Sequence, residues 1–589
     1  MVATLGRLRR ALASASFAAI SVAHAAGTLD PTFANGATTL TGLRYLSLAV
    51  SPDQRIAVAG TGWGGSAAQV KLGAVAIFDN AGQGMVLGST SVALPPDTYN
   101  HSADAVAFDP LGRVVVSGAR LMNSPGAFTV RLRTDGQPSA TYRNGAPGVV
   151  PPSLLGSALA LAIDRKSRIV IGGSTAFYGG GTQLSSSGQP VIARLTADGA
   201  NDLSFGSGGQ VVLASPGVVH ALAVDERGGI VFAFGASETT ILMRLSEDGT
   251  IDTEFGDGGQ SVVPKAVAAA GGTRGQMLVI AQRTDSSAGN RLLRFVDGRP
   301  DPTFGDGGAA VLPREYWTVT AAEDGSAFVG TVERAEGQRN MLRILRLRHD
   351  GRIDTTYGTD GEALVAFALP HPSGGSSYPS LAVDAQGRLL VTASRFDGYP
   401  YPTAQIQHVT VMLYRFTADA PDMPATRTAI EYRHASFDHY FVTADTDEIA
   451  KLDAGAFEDW TRTGESFTVQ LRASGATMPV CRFFSGNTFA PRSSHFYTPY
   501  ADECDTVDAG SAWDFEKLAF FLTLPTGAGK GNGTCATGAI PLYRAFNAMQ
   551  GGAPNHRYTT RAATLDAMIG SGWIMEGEAN TRVFACVPQ

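Results

Sequence analysis

Residues 194–206 read Arg-Leu-Thr-Ala-Asp-Gly-Ala-Asn-Asp-Leu-Ser-Phe-Gly, a strand ending in a tight turn and followed by a short aromatic motif. Asp198-Gly199 predicts a β-hairpin, because glycine tolerates the positive φ that hairpin turns require. The aromatic residue that follows, Phe205, is expected to fill the space between packed sheets. This segment therefore indicates a sheet-based architecture.

The same pattern recurs along most of the chain. Equivalent hairpin turns end at Asp135-Gly136, Asp248-Gly249, Asp297-Gly298 and Asp350-Gly351, with weaker versions around Asp79 and Asp419. The aromatic motif returns at Asp252–Phe255, Asp301–Phe304 and Asp354–Tyr357. A second motif, an apolar β-branched run after an Asp or Gly turn, occupies residues 51–60, 108–118, 163–173, 224–234, 272–282, 322–331 and 383–393. The hairpin turn and the apolar run thus have seven copies each.

A period of roughly 50–60 residues that contains only strands is typical of radially stacked sheets. The last copy, at 412–419, lacks its aromatic motif, and the segment Leu29–Phe33 supplies one. We expect this segment to pair with the strand near Met412–Phe416, because the pairing closes the ring and leaves no edge strand. The fold class predicted for residues 26–420 is a seven-bladed β-propeller, with an open β-solenoid as the alternative.

Composition sets the class of protein. The chain has 589 residues, of which 44% are hydrophobic and 70 are Gly, so it is globular and rich in strands. A single core rarely exceeds roughly 250–300 residues, which predicts at least two domains. The formal charge is −7 with no basic block, which argues against a nucleic-acid partner.

The first 25 residues have the features of a signal peptide. Arg7, Arg9 and Arg10 precede the apolar stretch 11–22, and Ala23-His24-Ala25 provides a small-residue cleavage pattern. The stretch is shorter than the roughly 20 residues that a membrane span needs. The residues around Arg9-Arg10 match twin-arginine export poorly. We therefore expect ordinary secretion to the periplasm or the extracellular space, and no later segment that spans a membrane.

A second domain is expected after a short linker at 421–428. Residues 429–589 contain three related units of strand, loop, strand, short helix and strand, which predicts a smaller C-terminal pseudo-threefold α+β domain. The short helices are predicted near Thr446–Asp453, Ala501–Asp508 and Ala562–Ile569.

All four cysteines lie in this domain, at Cys481, Cys504, Cys535 and Cys586. Export makes disulfides the favoured interpretation over a zinc site, since no C-x-x-C pair is present. Sequence alone allows three pairings. We favour Cys481–Cys504, on an adjacent strand and helix of the second unit, and hence Cys535–Cys586.

Two family resemblances follow from these motifs. The L-D-x-[ST]-F-G ends and the A-V-D-x-x-G-R-I-V-V-x-G runs resemble the delta-60 repeat family of secreted bacterial proteins, which implies architecture and secretion but no catalytic set. The three C-terminal units resemble a domain-of-unknown-function family with H-F-Y-T and G-W-x-x-E-G motifs. That family occurs on secreted bacterial proteins, including cell-wall hydrolases, which implies a role in binding wall polymer or glycan.

Candidate ligand-binding residues lie at repeated positions of the three units. The rings of three tyrosines could stack on sugars, three histidines stand beside them, and three arginines could hold acidic groups. These residues are Tyr440, Tyr497, Tyr558, His439, His495, His556, Arg433, Arg482 and Arg544. The alternative is internal support of the domain. For the histidines, loop ordering is favoured over a shared metal, and for Trp460, Trp513 and Trp573 core packing is favoured over sugar stacking.

No catalytic residues, metal ligands or cofactor sites are predicted. The chain contains no nucleophile elbow, phosphate-binding loop or dinucleotide fingerprint, and its Asp-rich turns, such as 255–259, lack the ligand series of a calcium loop. The ionisable loop residues that could form an active site cannot be assigned to one face: Asp97, His101, His220, Glu315 and His371.

These observations favour a secreted, non-enzymatic binding or scaffold protein. The expected partner is a glycan, a cell-wall polymer or a surface protein. The alternative is an extracellular propeller hydrolase or lyase with a C-terminal targeting module. The enzyme would need converging carboxylates, or a His–carboxylate pair, at one mouth of the ring.

Overall fold

The computed structural model describes most of the chain after residue 25. The described residues are 26–41, 43–64, 70–84, 92–93, 102–120, 126–143, 148–149, 157–176, 188–225, 228–236, 239–272, 275–283, 289–334, 339–368, 379–397, 408–418, 426–471, 477–510, 512–528 and 531–589. The predicted signal peptide lies outside them.

The first part of the chain is a seven-bladed β-propeller, as predicted. The chain begins with β1 (Ala37–Thr41) and then forms the blades in order. Blade 1 has β2 (Leu43–Val50), β3 (Ile56–Gly64), β4 (Val70–Phe78) and β5 (Val92–Ala93). Blade 2 has β6 (Ala105–Phe108), β7 (Val114–Arg120), β8 (Gly126–Leu132) and β9 (Gly148–Val149). Blade 3 has β10 (Ser157–Ile163), β11 (Ile169–Ser174), β12 (Pro190–Leu195) and β13 (Gln210–Val212).

The remaining four blades follow the same plan. Blade 4 has β14 (Val218–Val224), β15 (Ile230–Ala236), β16 (Thr239–Leu245) and β17 (Gln260–Pro264). Blade 5 has β18 (Ala266–Gly271), β19 (Met277–Gln282), β20 (Asn290–Val296), β21 (Arg299–Pro300) and β22 (Ala309–Val311). Blade 6 has β23 (Thr318–Ala321), β24 (Ala327–Arg334), β25 (Arg339–Leu347) and β26 (Glu362–Ala368). Blade 7 has β27 (Ser380–Val383), β28 (Leu389–Asp397) and β29 (His408–Phe416), completed by β1.

The N-terminal segment closes the ring, as the repeat pattern predicts. Strand β1 pairs antiparallel with β29, from Ala37 opposite Tyr414 to Thr41 opposite Thr410. Leu29 forms an isolated bridge to Phe416, and the Asp30 amide donates to the Arg415 carbonyl at 2.9 Å. The structure refines the prediction, since Ala37–Thr41 supplies most of the pairing and Leu29–Phe33 supplies the motif.

A repeated side-chain arrangement, here named the staple, explains the aromatic motif. In blade 3, Arg194 donates through Nε to Asp202 at 2.7 Å and lies over the Phe205 ring, 4.6 Å from its centroid. Asp202 also accepts from the hydroxyl of Ser204, and Arg194 donates to the Glu247 carbonyl of the next blade. The equivalent trios are Arg244/Asp252/Phe255, Arg294/Asp301/Phe304, Arg346/Asp354/Tyr357 and Arg415/Asp30/Phe33. Each staple thus pairs a buried or partly buried charge and covers an aromatic ring.

The C-terminal domain is built from three similar units around one core. Its strands are β30 (Thr426–His434), β31 (His439–Thr443), β32 (Trp460–Gln470), β33 (Thr477–Phe484), β34 (His495–Thr498), β35 (Asp514–Thr523), β36 (Ala539–Phe546), β37 (His556–Thr559), β38 (Ile574–Glu576) and β39 (Ala585–Pro588). Its helices are α1 (Thr446–Asp453), α2 (Ala501–Asp508) and α3 (Ala562–Gly570). Each unit contributes to the core, which contains Phe441, Leu452, Val480, Tyr497, Phe520, Leu542, Tyr558 and Phe584.

Two disulfides join elements of this domain, with the predicted pairing. Cys481–Cys504 links β33 to α2 across a Cα separation of 6.0 Å. Cys535–Cys586 links the loop before β36 to β39 across 5.6 Å. In the described residues, no helix is both long and apolar enough to cross a membrane.

Candidate functional site

The three predicted stacking tyrosines are internal. Tyr440, Tyr497 and Tyr558 are only 8%, 3% and 4% exposed. The Tyr558 hydroxyl accepts from the Tyr497 amide at 2.9 Å, and the Tyr497 hydroxyl donates to the Val442 carbonyl at 2.6 Å. Tyr440 lies beneath the Arg557 guanidinium, 4.3 Å from the ring centroid. A sugar needs an uncovered ring face to stack, and these rings are covered.

The three histidines are also held by the domain and do not meet. Nδ1 of His439 lies 3.0 Å from the Ser493 carbonyl oxygen. His495 and His556 lie 3.2 and 3.4 Å from Glu516 and Glu576. Burial lowers the pKa of His556 to about 3, so its ring is neutral at physiological pH. In the described part of the chain, no group of His, Cys, Asp and Glu side chains is arranged to hold a metal ion.

Two of the three arginines form seams between neighbouring units. Arg482 joins Glu448 of the first unit to Glu516 of its own, at 2.9 and 2.7 Å. Arg544 joins Glu503 to Glu576 in the same way, at 2.8 and 2.9 Å. Both seams link a helix of one unit to a strand of the next.

The third seam has the reverse polarity. Glu431, fully buried in the first unit, accepts from Arg557 of the third at 3.0 Å. Arg433 is not equivalent to the seam arginines, since it is half-exposed and pairs locally with Asp438. The ligand role of the nine side chains stays a prediction, and the partial or full burial of all but Arg433 favours the alternative of internal support.

The ionisable loop residues do not assemble into a described site. Asp97, His101 and His371 lie outside the described residues. His220 is partly buried in the inner strand of blade 4, where burial lowers its pKa, while Glu315 is exposed in the connection between blades 5 and 6. Among the described residues, no contact joins these two side chains.

The two domains meet at blade 2. Leu111, in the turn after β6, is 1% exposed and inserts into a cluster of the second C-terminal unit. That cluster contains the disulfide between Cys481 and Cys504 together with Phe483 and Phe496. An apolar side chain of the propeller therefore completes a core of the other domain.

A charged cluster lies beside this contact. Blade 2 has Ser139 where the staples of blades 3–7 have aspartate, so among the described residues its staple arginine, Arg131, forms no ion pair within its own blade. Asp505 of α2 takes that place, 3.2 Å from Arg131 and 2.9 Å from Arg113. The Ser139 hydroxyl donates to the second Asp505 oxygen at 2.6 Å. The C-terminal domain thus supplies the missing carboxylate.

The electrostatics of this cluster favour an ionised Asp505. Burial raises the pKa of Asp505, but hydrogen bonds from Ser139 and Thr141 and the charges of Arg131 and Arg113 outweigh it and lower the pKa overall. Arg113 is also paired with Asp508 at 2.9 Å. Removing one partner would leave a buried charge uncompensated, so the cluster specifies where the domain docks.

Two sequence signals could have located this interface. Leu111 is the third residue after the inner strand, and the residues at that position in the other turns are polar: Asp53, Lys166, Arg227, Arg274, Asp324 and Gln386. Ser139 breaks the Asp-x-[ST]-aromatic motif in the same blade. Both departures mark blade 2 as the blade that contacts something else.

An open cleft of about 510 Å³ lies next to the docked surfaces. The propeller contributes the turns at Pro52–Asp53 and Pro110, and the C-terminal domain contributes the start of α1 and strand β35. Phe515, partly exposed, and Arg427 both line the cleft. Ligand sites occur preferentially at such domain junctions.

Charged side chains form a continuous ladder along one side of the cleft. Lys517 contacts both Asp445 and Glu448 at 2.7 Å, and Arg482 continues the ladder from Glu448 to Glu516. Burial raises the pKa of Glu448, but hydrogen bonds from Arg482, Lys517 and Thr443 outweigh it and lower the pKa to about 2. The ladder is therefore ionised at neutral pH and presents fixed hydrogen-bond donors and acceptors.

Two further charged groups of the cleft have no ion pair. Arg427 donates through Nη1 to the Ala444 carbonyl at 2.9 Å, and among the described residues its guanidinium has no carboxylate partner. Asp447 is exposed in the first turn of α1, and no described cation pairs with its carboxylate. These two side chains are available for a polar ligand.

Comparison with sequence families agrees with the two-part organisation. Residues 403–523 and 431–583 match the family described as Domain of unknown function (DUF5648). Residues 167–205 match the Domain of unknown function (DUF5122) beta-propeller, which includes the staple of blade 3. No curated protein matches this chain.

Several solved structures are similar to the chain at low identity. A prolyl endopeptidase is 10% identical with a TM-score of 0.35, over 69% of this chain and 55% of its own, so the match spans about half of that protein. NanB sialidase from Streptococcus pneumoniae is 10% identical with a TM-score of 0.31, over 64% of this chain and 68% of its own. A polysaccharide lyase, an ulvan lyase, is 10% identical with a TM-score of 0.35, over 64% and 94%. Sequence identities and TM-scores this low carry no information about the activity of this protein.

Proposed function

We propose that the protein is a secreted binding protein and that the cleft between its two domains takes a glycan chain. The observation that carries this proposal is the composition of the cleft, in which fixed charged groups lie beside a partly exposed aromatic ring, Phe515. The two disulfides support an oxidising, extracytoplasmic location.

A saccharide fits this chemistry better than an apolar ligand. Hydroxyl groups both donate and accept hydrogen bonds, and the ladder from Asp445 to Glu516 offers both kinds of partner. A sugar also presents an apolar face that can pack on an aromatic ring such as Phe515. Because Arg427 and Asp447 have no ion-pair partner in the described part of the chain, they are the groups that a bound sugar chain would engage.

The alternative, a hydrolase or lyase, is favoured by one observation in the propeller. Burial raises the pKa of Asp104, which precedes the inner strand β6, to about 7 despite a hydrogen bond from Ser102 at 3.0 Å. A carboxyl group that titrates near neutral pH suits general acid–base catalysis. If an activity is found, Asp104→Asn should abolish it while the protein remains folded.

The binding proposal can be tested with the mature protein, residues 26–589. Pull-downs with bacterial cell wall, chitin and acidic polysaccharide would identify the polymer, and titration of its oligomers would give the affinity. Arg427→Gln and Asp447→Asn should each weaken binding about tenfold, the loss expected for one hydrogen bond to a charged group.

The matched controls change the same charges elsewhere. Arg352→Gln and Glu458→Gln alter exposed side chains outside the cleft and should bind like the unaltered protein. Retention by none of the polymers, or equal affinity of the cleft variants and the controls, would contradict the proposal.

A further inference from the structure

A second groove lies far along the propeller from the domain junction, between blades 4 and 5. Its volume is about 510 Å³. One side is formed by the outermost strand of blade 4, β17, from Gln260 to Pro264, and the other by β20 of blade 5. Its apolar lining includes Val263, Leu293 and Phe295, and Val262 at its edge is 56% exposed.

Arg291 lines this groove, and its charge has no partner among the residues that the structure describes. Its Nε atom is buried and has no hydrogen-bond acceptor, and no described carboxylate pairs with its guanidinium. Arg299, also exposed at the groove, has no described ion pair either. Asp257 lies at the rim, so the three groups together leave the groove positive. An unsatisfied, partly buried guanidinium is costly unless something accepts from it.

Blade 6 provides a direct comparison for this arginine. Three residues before the staple arginine, blades 2, 3, 4 and 7 have apolar side chains: Phe128, Val191, Ile241 and Met412. Blades 5 and 6 instead have Arg291 and Arg343. Arg343 is neutralised by Glu333 at 2.6 Å and by Glu362 at 3.1 Å.

The position of Glu362 is occupied in blade 5 by a residue without charge. Glu362 lies opposite Leu345, and Ala309 lies opposite the equivalent Leu293. Blade 5 therefore keeps the arginine and lacks the acid at the Glu362 position, one of the two that pair with Arg343 in blade 6. The missing acceptor, together with the apolar lining, defines the ligand: a carboxylate flanked by apolar groups.

We propose that this groove binds an extended peptide segment of a partner protein, in which an acidic side chain lies between apolar ones. The acidic group accepts from Arg291, and the flanking side chains pack on Val263, Leu293 and Phe295. The outermost strand of blade 4, β17, lines the groove and suits an extended chain, whose alternate side chains point to the same face. The proposal is independent of the glycan cleft.

Peptide binding to this groove can be tested by fluorescence anisotropy with the full mature chain. The probe is a short labelled peptide of alternating Asp and Leu residues, and the control peptide has Asn in place of Asp. We expect the acidic peptide to bind and the control peptide to bind at least about tenfold more weakly, because the charge-assisted hydrogen bond is lost.

Two variants should weaken peptide binding, one by removing the hydrogen-bond donor and the other by satisfying it from within the protein. Arg291→Gln deletes the donor, and Ala309→Glu supplies an internal acceptor as in blade 6, so both should weaken binding about tenfold. Arg352→Gln makes the same charge change as Arg291→Gln at a site 84% exposed and should leave binding unchanged. Thermal unfolding of each variant would show that the fold is kept.

Three results would overturn the proposal. They are no binding of the acidic peptide, equal binding of the Asn peptide, and unchanged binding by both Arg291→Gln and Ala309→Glu. Binding of dextran sulfate in place of the peptide, lost in the same two variants, would assign the groove to an anionic polysaccharide and also contradict it.

Discussion

Blades 2 and 3 share the staple arginine but take its carboxylate from different places. In blade 3, Arg194 pairs with Asp202 of the same blade at 2.7 Å. In blade 2, Ser139 replaces the aspartate, and Arg131 pairs with Asp505 of the C-terminal domain at 3.2 Å. A repeat that satisfies its own charges is self-contained, whereas one that lacks a partner becomes a place where another element binds. The same reasoning distinguishes blade 5 from blade 6.

The largest loss of stability is expected when a whole staple is removed. Blade 7 obtains Asp30 and Phe33 from the N-terminal segment, so deleting residues 26–40 removes a staple and most of β1. Loss of a buried aromatic and a strand should lower the free energy of unfolding by roughly 5 kcal/mol or more. Denaturant unfolding measures this, and an unchanged midpoint for the truncated protein would contradict ring closure by this segment.

The next largest loss of stability is expected at the apolar part of the contact between the two domains. Leu111→Asp introduces at blade 2 the residue that blade 1 has at the same position, and places a charge in the cluster around the Cys481–Cys504 disulfide. We expect a loss of about 3 kcal/mol or more, because burying an unpaired carboxylate adds to the lost packing.

Calorimetry should then resolve a separate, earlier transition of the C-terminal domain. The matched control is Lys166→Gln, at the equivalent turn of blade 3, where the side chain is 67% exposed and the change should be within about 0.5 kcal/mol. If the Leu111→Asp protein unfolded like this control, the claim that Leu111 stabilises the contact between the domains would be wrong.

A smaller effect is expected from acid on the seams of the C-terminal domain. The pKa of Glu448 is about 2 in the folded protein, below the ordinary 4.5 expected on unfolding, so the unfolded chain binds the proton more readily. This contribution to stability is present above about pH 4.5 and is lost as the pH falls toward 2.

Denaturant unfolding at pH 7 and at pH 3 would measure the stability that ionised Glu448 contributes. In Glu448→Gln the component is absent, so the variant should be less stable than the unaltered protein at pH 7 and should lose less stability on acidification. An equal acid-induced loss in both proteins would contradict the role assigned to this seam.

The repeat pattern predicted the architecture because it depends on local and periodic features. Hairpin turns such as Asp198-Gly199, apolar strands and the position of Leu29–Phe33 each report on nearest neighbours in the ring. The disulfide between Cys481 and Cys504 was predictable for the same reason, since it joins consecutive elements of one unit.

The sites were less predictable, because repetition in sequence does not show which side of an element is covered. Tyr497 and Tyr558 occur at the same position of their units because both pack in the shared core. From the sequence, that repetition suggested exposed binding sites instead. The informative positions were the departures from the repeat, Leu111 and Ser139. They mark blade 2 as different, but the sequence does not show which distant residue the blade contacts, because Ser139 and Asp505 are 366 residues apart.

The central claim is that Asp505 replaces the missing aspartate of blade 2, and a double-mutant cycle with Ser139 tests it most directly. Asp505→Ser should cost about 3 kcal/mol, since Arg113 and Arg131 stay buried with less compensation. Ser139→Asp alone should also destabilise, because it places a second carboxylate against Asp505. In the double variant the blade regains its own staple, so the protein should be at least about 1 kcal/mol more stable than the two single losses predict. Losses that simply add in the double variant would contradict the account.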